Sequence, residues 1–137
     1  MAPKPIGVIL AGGRGSRLGG LDKGLLEING RKLIERCVTN IQPQVSAIVI
    51  NANRNLPIYC QYADFVVPDM TKDYPGPLTG ILSVMRYLES TQYPISSDLV
   101  TVPCDMPLLP PNLVAKFYTS RLADKGENER IVVAHDG

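Results

Sequence analysis

With 137 residues, the chain suits one domain rather than two, and a domain of that size buries about two thirds of its unfolded surface. A composition of 45% hydrophobic and 20% charged residues excludes a disordered tail, a collagen-like repeat and a membrane bundle. Lys and Arg number 14 against 13 Asp and Glu, a formal charge of +1, so no global field attracts nucleic acid or anionic lipid, and any anion must be held locally.

Ile6, Gly7, Val8, Ile9 and Leu10 lack alternation and are bounded by glycine, which predicts a fully buried strand. A glycine-rich loop follows over 11–23. Residues 25–28 and the Asn29-Gly30 turn predict a short extended piece. From Arg31 the period becomes helical, with Leu33, Ile34, Cys37, Val38 and Ile41 on one face and Pro43 as its limit. Residues 47–50 predict a second buried strand, ending in Asn51-Ala52-Asn53, and Phe65, Val66 and Val67 a third, ending in Pro68-Asp69. Pro77 suits the first turn of a helix whose apolar stripe is Leu78, Ile81, Leu82, Met85 and Leu88. Residues 99–102 predict a fourth strand, closed by Pro103, Cys104, Asp105, Met106 and Pro107. Pro110-Pro111 opens a helix with Leu113, Val114, Phe117 and Leu122, and 131–134 predict a fifth strand.

Strand and helix alternate, so the expected class is α/β, an open and mainly parallel sheet with flanking helices in a single domain over 1–137. The apolar runs are strand-length, too short for a membrane span, and the N-terminus lacks the pattern of a signal peptide. Cys37, Cys60 and Cys104 are odd in number and widely spaced, as expected of reduced thiols in a cytoplasmic protein. With aromatics at 6% and no Trp, a stacking surface for single-stranded nucleic acid is not expected.

The polar residues sit after strand ends. Gly12, Gly13 and Gly15 let backbone N–H groups approach phosphate oxygens, and Arg14, Arg17 and Lys23 add positive charge. No Gly-Lys-Ser/Thr ends this loop, so it is no Walker loop. Leu18 stands where a dinucleotide fingerprint counted from Gly13 needs glycine. Asp105, between Pro103 and Pro107, is a carboxylate facing a phosphate loop, an arrangement that calls for an intervening cation, naturally Mg²⁺. Read alone, it is equally a turn or cap aspartate. Asn51 and Asp69 suit a base or ribose edge, or serve as ordinary turn formers. Cys104 has no nearby His in sequence and reads as packing, and His135 as an ordinary strand-end residue.

The stretch Leu10-Ala11-Gly12-Gly13-Arg14-Gly15-Ser16-Arg17-Leu18-Gly19-Gly20-Leu21-Asp22-Lys23 resembles the signature of the molybdenum cofactor guanylyltransferase family. Val49 to Asn53, Pro68-Asp69, Tyr74-Pro75-Gly76-Pro77-Leu78-Thr79-Gly80 and Pro103 to Pro107 match further family motifs in the same order. Related sugar and cytidylyl transferases usually carry two alanines in place of Ala11-Gly12, and often proline in place of Asp22. The resemblance implies a Rossmann-like nucleotidyltransferase sheet of the glycosyltransferase-A type. It implies that Leu10, Ala11, Gly12, Lys23, Asn51, Asp69 and Asp105 bind GTP, with Asp105 on Mg²⁺, and that Arg17, Gly20 and Gly80 serve activity or the acceptor side.

The implied reaction transfers GMP from GTP to the phosphate of molybdenum-bearing molybdopterin and releases pyrophosphate, with Arg17, Lys23 and Asp105 as the catalytic set. Family members continue beyond this point with further strands, a terminal helix and an Asn-Thr-Pro-type motif. The chain is therefore expected to be the donor-nucleotide half of the domain, truncated at its C-terminus and prone to weak self-association. Two alternatives stand beside this one. The first is a nucleotidyltransferase using CTP or a sugar phosphate, and the second a noncatalytic nucleotide-binding fragment.

Overall fold

The computed structural model describes residues 4–12, 17–18, 21–71, 76–93, 98–106 and 108–123. In chain order the strands are β1 (Ile6–Leu10), β2 (Arg17–Leu18), β3 (Leu21–Asp22), β4 (Glu27–Ile28), β5 (Arg31–Lys32), β6 (Ala47–Asn51), β7 (Phe65–Val67) and β8 (Leu99–Pro103). The helices are α1 (Leu33–Ile41), α2 (Leu56–Tyr59), α3 (Pro77–Ser90) and α4 (Leu113–Ala123). Strands β7, β6, β1 and β8, in that order, form one parallel sheet. The four expected strands within the described residues are therefore present, and the expected strand at 131–134 lies outside them.

The sheet order follows from burial on both faces. Ile9, Ile48, Ile50, Val100 and Val102 meet Ile34, Cys37, Val38 and Ile41 of α1 and Leu113 and Val114 of α4. Ile6, Val8, Val49 and Val67 meet Val84 and Leu88 of α3 on the opposite face. Alternate residues of a strand thus serve opposite layers, and a continuous apolar run is what such a strand requires. Helix α1 begins without a side-chain cap, which costs about 1 kcal/mol. Its four buried Leu, Ile and Val side chains, each contributing about 1.5–3 kcal/mol, outweigh that.

Three local expectations change. The helical pattern starts at Leu33, because Arg31 and Lys32 pair with Ile28 and Glu27 in a hairpin whose turn holds Asn29 at φ 53°. The short helix α2 has no counterpart in the sequence reading. The third change concerns α3, whose buried face is Thr79, Gly80, Ser83, Val84 and Leu88 rather than the apolar stripe. Leu78 is 64% exposed and Met85 48%, leaving only Leu88 common to both faces. Small residues let the first turns of α3 descend onto the sheet edge, where Ser83 Oγ accepts a hydrogen bond from the Met70 N–H at 2.9 Å. A leucine facing inward there would hold the helix off. No helix among the described residues is long and apolar enough to cross a membrane.

Candidate functional site

The chain runs from β1 outward through β6 to β7, then returns to the other side of β1 to lay down β8. Strand order therefore reverses between β1 and β8, and a parallel sheet opens a ligand crevice at the carboxyl ends flanking such a point. Register places the site residues there. Leu10 lies level with Asn51 and with Pro103, and Asn51 level with Val67. Gly12, Asn53, Asp69 and Asp105 each stand two residues beyond one of these four level positions. The backbone ladder continues past the strands, from Ala11 N to Asn51 O at 2.8 Å and from Cys104 N to Leu10 O at 3.1 Å. The roots of the loops are thereby fixed.

Two clusters result. Between β1 and β8, Lys23 Nζ approaches Asp105 Oδ2 at 3.4 Å, joining residues 82 positions apart. Their side chains are 29% and 40% exposed, so both can reach a ligand in the crevice. Over β6 and β7, Asn51 is 3% exposed and donates through Nδ2 to Val67 O at 3.0 Å and to Asp69 Oδ1 at 2.9 Å. Asn53 Nδ2 donates to Asp69 Oδ2 at 2.8 Å and to Gly12 O at 2.9 Å, and its Oδ1 accepts from Asp69 N at 2.7 Å. Asn53 thus ties the start of the glycine loop to Asp69. The sequence reading named Asn53 only as part of a motif; its signal was the two-residue offset that it shares with the other site residues.

Gly80 packs directly on Asn51. A Cβ there would collide with Asn51 Oδ1 and come within 2.8 Å of its Cγ. Asn51 is held by two hydrogen bonds and cannot swing aside. Gly80→Ala should therefore destabilise the fold by about 1–3 kcal/mol, the usual cost of overpacking. Urea unfolding checks this, and a wild-type midpoint would show that α3 moves freely.

Leu10, Ala11, Gly12, Lys23, Asn51, Asp69, Gly80 and Asp105 thus gather along one sheet edge. Gly13, Gly15 and Gly20 lie outside the described residues, as does Arg14, and of Arg17 only the backbone, paired with Asp22, is described. Cys104 is buried beside Asp105. Burial, then the carboxylates of Asp105 and Asp22, pushes its thiol up to about 12, so it remains protonated and is no nucleophile near neutrality. Cys37 is likewise pushed up to about 12 by burial, then by Cys104 and Asp105. Among the described residues no group of three or more His, Cys, Asp or Glu could enclose a metal. The donor set at Asp105 fits instead a cation that takes one carboxylate and completes its shell with phosphate oxygens and water, which is the habit of Mg²⁺.

Known proteins resemble this chain in sequence and in fold. A molybdenum cofactor guanylyltransferase of Shewanella amazonensis is 45% identical over 130 residues, which make up 95% of this chain. The match spans 62% of that relative's length. In fold, CMP:2-keto-3-deoxy-manno-octonic acid synthetase complexed with CTP superposes with a TM-score of 0.64 at 17% identity, over 90% of this chain and 48% of that one. Molybdopterin-guanine dinucleotide biosynthesis protein A of Archaeoglobus fulgidus superposes with a TM-score of 0.60 at 24% identity, over 86% and 56%. The expected nucleotidyltransferase-like sheet is therefore the observed one. Because the family model described as MobA-like NTP transferase domain matches residues 7–137, from the first buried strand through the whole composite site, the chain belongs to that family.

Proposed function

We propose that this chain is the donor-nucleotide part of a guanylyltransferase that binds GTP with Mg²⁺ and transfers GMP to the terminal phosphate of a molybdopterin-type acceptor. The observation that carries this reading is the meeting of Lys23 and Asp105 at 3.4 Å across the point where strand order reverses. A cation and a carboxylate so placed suit the two ends of a metal–triphosphate group. Asp105 would hold the Mg²⁺, which supplies charge neutralisation on the phosphates. Lys23 would lie along the triphosphate as a mobile point charge, and the backbone after Leu10 would line it. Parting the half-exposed Lys23–Asp105 pair to admit the ligand costs about 1 kcal/mol or less.

An acceptor phosphate monoester has a second pKa of about 6 and is mostly dianionic at neutrality, so it needs no general base. One of its oxygens forms the new bond to the α-phosphorus while the bond to the β-phosphate oxygen breaks, and pyrophosphate leaves. The site's contribution is alignment and charge neutralisation. The protonated thiol of Cys104 suits this division of labour, since no side chain need act as a nucleophile. Free Cys37, Cys60 and Cys104 suit a reducing, cytoplasmic setting.

Guanine offers donors at N1 and at its exocyclic amine. The Asp69 carboxylate, locked by Asn51 and Asn53, supplies acceptors at the β6–β7 end of the crevice. ATP and CTP present a ring acceptor where guanine presents N1–H. They should therefore compete about 10- to 100-fold more weakly than GTP, matching about 1–3 kcal/mol for a stranded polar partner. Displacement of a fluorescent GTP analogue by each nucleotide measures this. Equal displacement by CTP would favour a cytidylyl donor.

A further inference from the structure

Behind Lys23 lies a buried polar cluster that the reaction itself does not use. Asp22 is only 8% exposed, yet its carboxylate accepts three hydrogen bonds. Tyr59 Oη donates to Oδ1 at 2.5 Å, Gly24 N to Oδ1 at 3.2 Å, and Asn55 Nδ2 to Oδ2 at 3.3 Å. Asp22 caps the short 3-10 turn Lys23–Leu25, so this carboxylate sets the path of the backbone from which Lys23 projects. Two of the three donors, Asn55 and Tyr59, come from the start and end of α2, the helix without a counterpart in the sequence pattern.

The cluster is built for contact rather than filled by default. Tyr59 is fully buried, and burial followed by the Asp22 hydrogen bond pushes its phenol far above the ordinary tyrosine range. It therefore remains a donor at any working pH. Gly24, immediately after Lys23, leaves the space that the hydroxyl needs, because a Cβ there would lie 2.5 Å from Tyr59 Oη. A buried carboxylate is tolerated only with its acceptors met, and here two of the three donors arrive from a separate segment more than 30 residues on.

We propose that Tyr59, acting through Asp22, is a positioning residue for Lys23, fixing the turn so that the ammonium reaches the bound phosphates. This inference rests on the phosphate role given to Lys23 above. On this account α2 belongs to the nucleotide site although none of its side chains touches the ligand, and Asp22-Lys23-Gly24 works with Tyr59 as one unit.

A double-mutant cycle tests it, using the 137-residue chain with a fluorescent GTP analogue and Mg²⁺. Tyr59→Phe keeps the ring and removes only the donor. It should weaken nucleotide affinity about 5- to 10-fold in the parent background, and less than about 2-fold where Lys23→Ala is already present. Its effect on thermal stability should be the same in both backgrounds, because the lost hydrogen bond to Asp22 is the same. An equal loss of affinity in the two backgrounds, or none in either, would overturn the inference while leaving the phosphate role of Lys23 intact. If Lys23→Ala alone left affinity unchanged, that role would fall, and the inference with it. Asp22→Asn, which conserves volume but turns an amide toward Asn55, carries the same cycle should Tyr59→Phe fail to fold, with the same outcomes decisive.

Discussion

Lys23→Ala should lower the affinity for Mg²⁺·GTP by about 10- to 100-fold, and pyrophosphate release by about 10²- to 10³-fold. The first figure corresponds to the roughly 1.5–3 kcal/mol of a hydrogen bond to a charged group. The second corresponds to the roughly 2.7–4 kcal/mol lost when one preorganised donor is removed from a developing anion. The fold should survive, because the side chain is 29% exposed and its polar contact among the described residues is the 3.4 Å approach to Asp105. Calorimetric titration with GTP, beside a thermal unfolding curve, separates the two effects. Unchanged affinity in a folded variant would remove Lys23 from the phosphate site.

On the proposed metal role, Asp105→Ala should reduce turnover by on the order of 10³-fold at ordinary Mg²⁺ and abolish the Mg²⁺ dependence of GTP binding, since a metal ligand is worth several kcal/mol. Its carboxylate is 40% exposed, so the lost ion pair should cost about 1 kcal/mol of stability or less. Activity and stability should thus move apart. A magnesium titration of GTP affinity gives the sharper readout, because the curve of the variant should be flat. Wild-type behaviour at ordinary Mg²⁺ would return Asp105 to the role of a turn residue.

The two clusters divide the proposed work. Lys23 and Asp105 stand at the β1–β8 crevice, where charge must be balanced, while Asn51, Asn53 and Asp69 form a hydrogen-bonded lock over β6 and β7. Gly12 joins them, as its carbonyl accepts from Asn53 at the start of the glycine loop. A variant that loosens the lock should therefore change base preference before it changes metal dependence.

Local pattern was enough to locate β1, β6, β7 and β8, because a strand buried on both faces must be apolar without alternation, and glycine, proline or asparagine must end it. It was enough for the inward face of α1, whose five apolar residues share one side of a 3.6-residue period. It also put Lys23, Asn51, Asp69 and Asp105 after strand ends, hence along one edge of any parallel sheet. Pattern misjudged α3, since apolar periodicity records which side of a helix is greasy, whereas the buried side was decided by close approach to Asn51, which only Gly80 and its small neighbours permit. It was silent on Asp22 and Tyr59, two polar residues that become a buried pair only when α2 folds back over the turn at Lys23. Strand order was likewise beyond it. Placing β8 beside β1 depends on packing both faces at once, and that non-local choice brings Lys23 to Asp105 and turns scattered loop residues into a site.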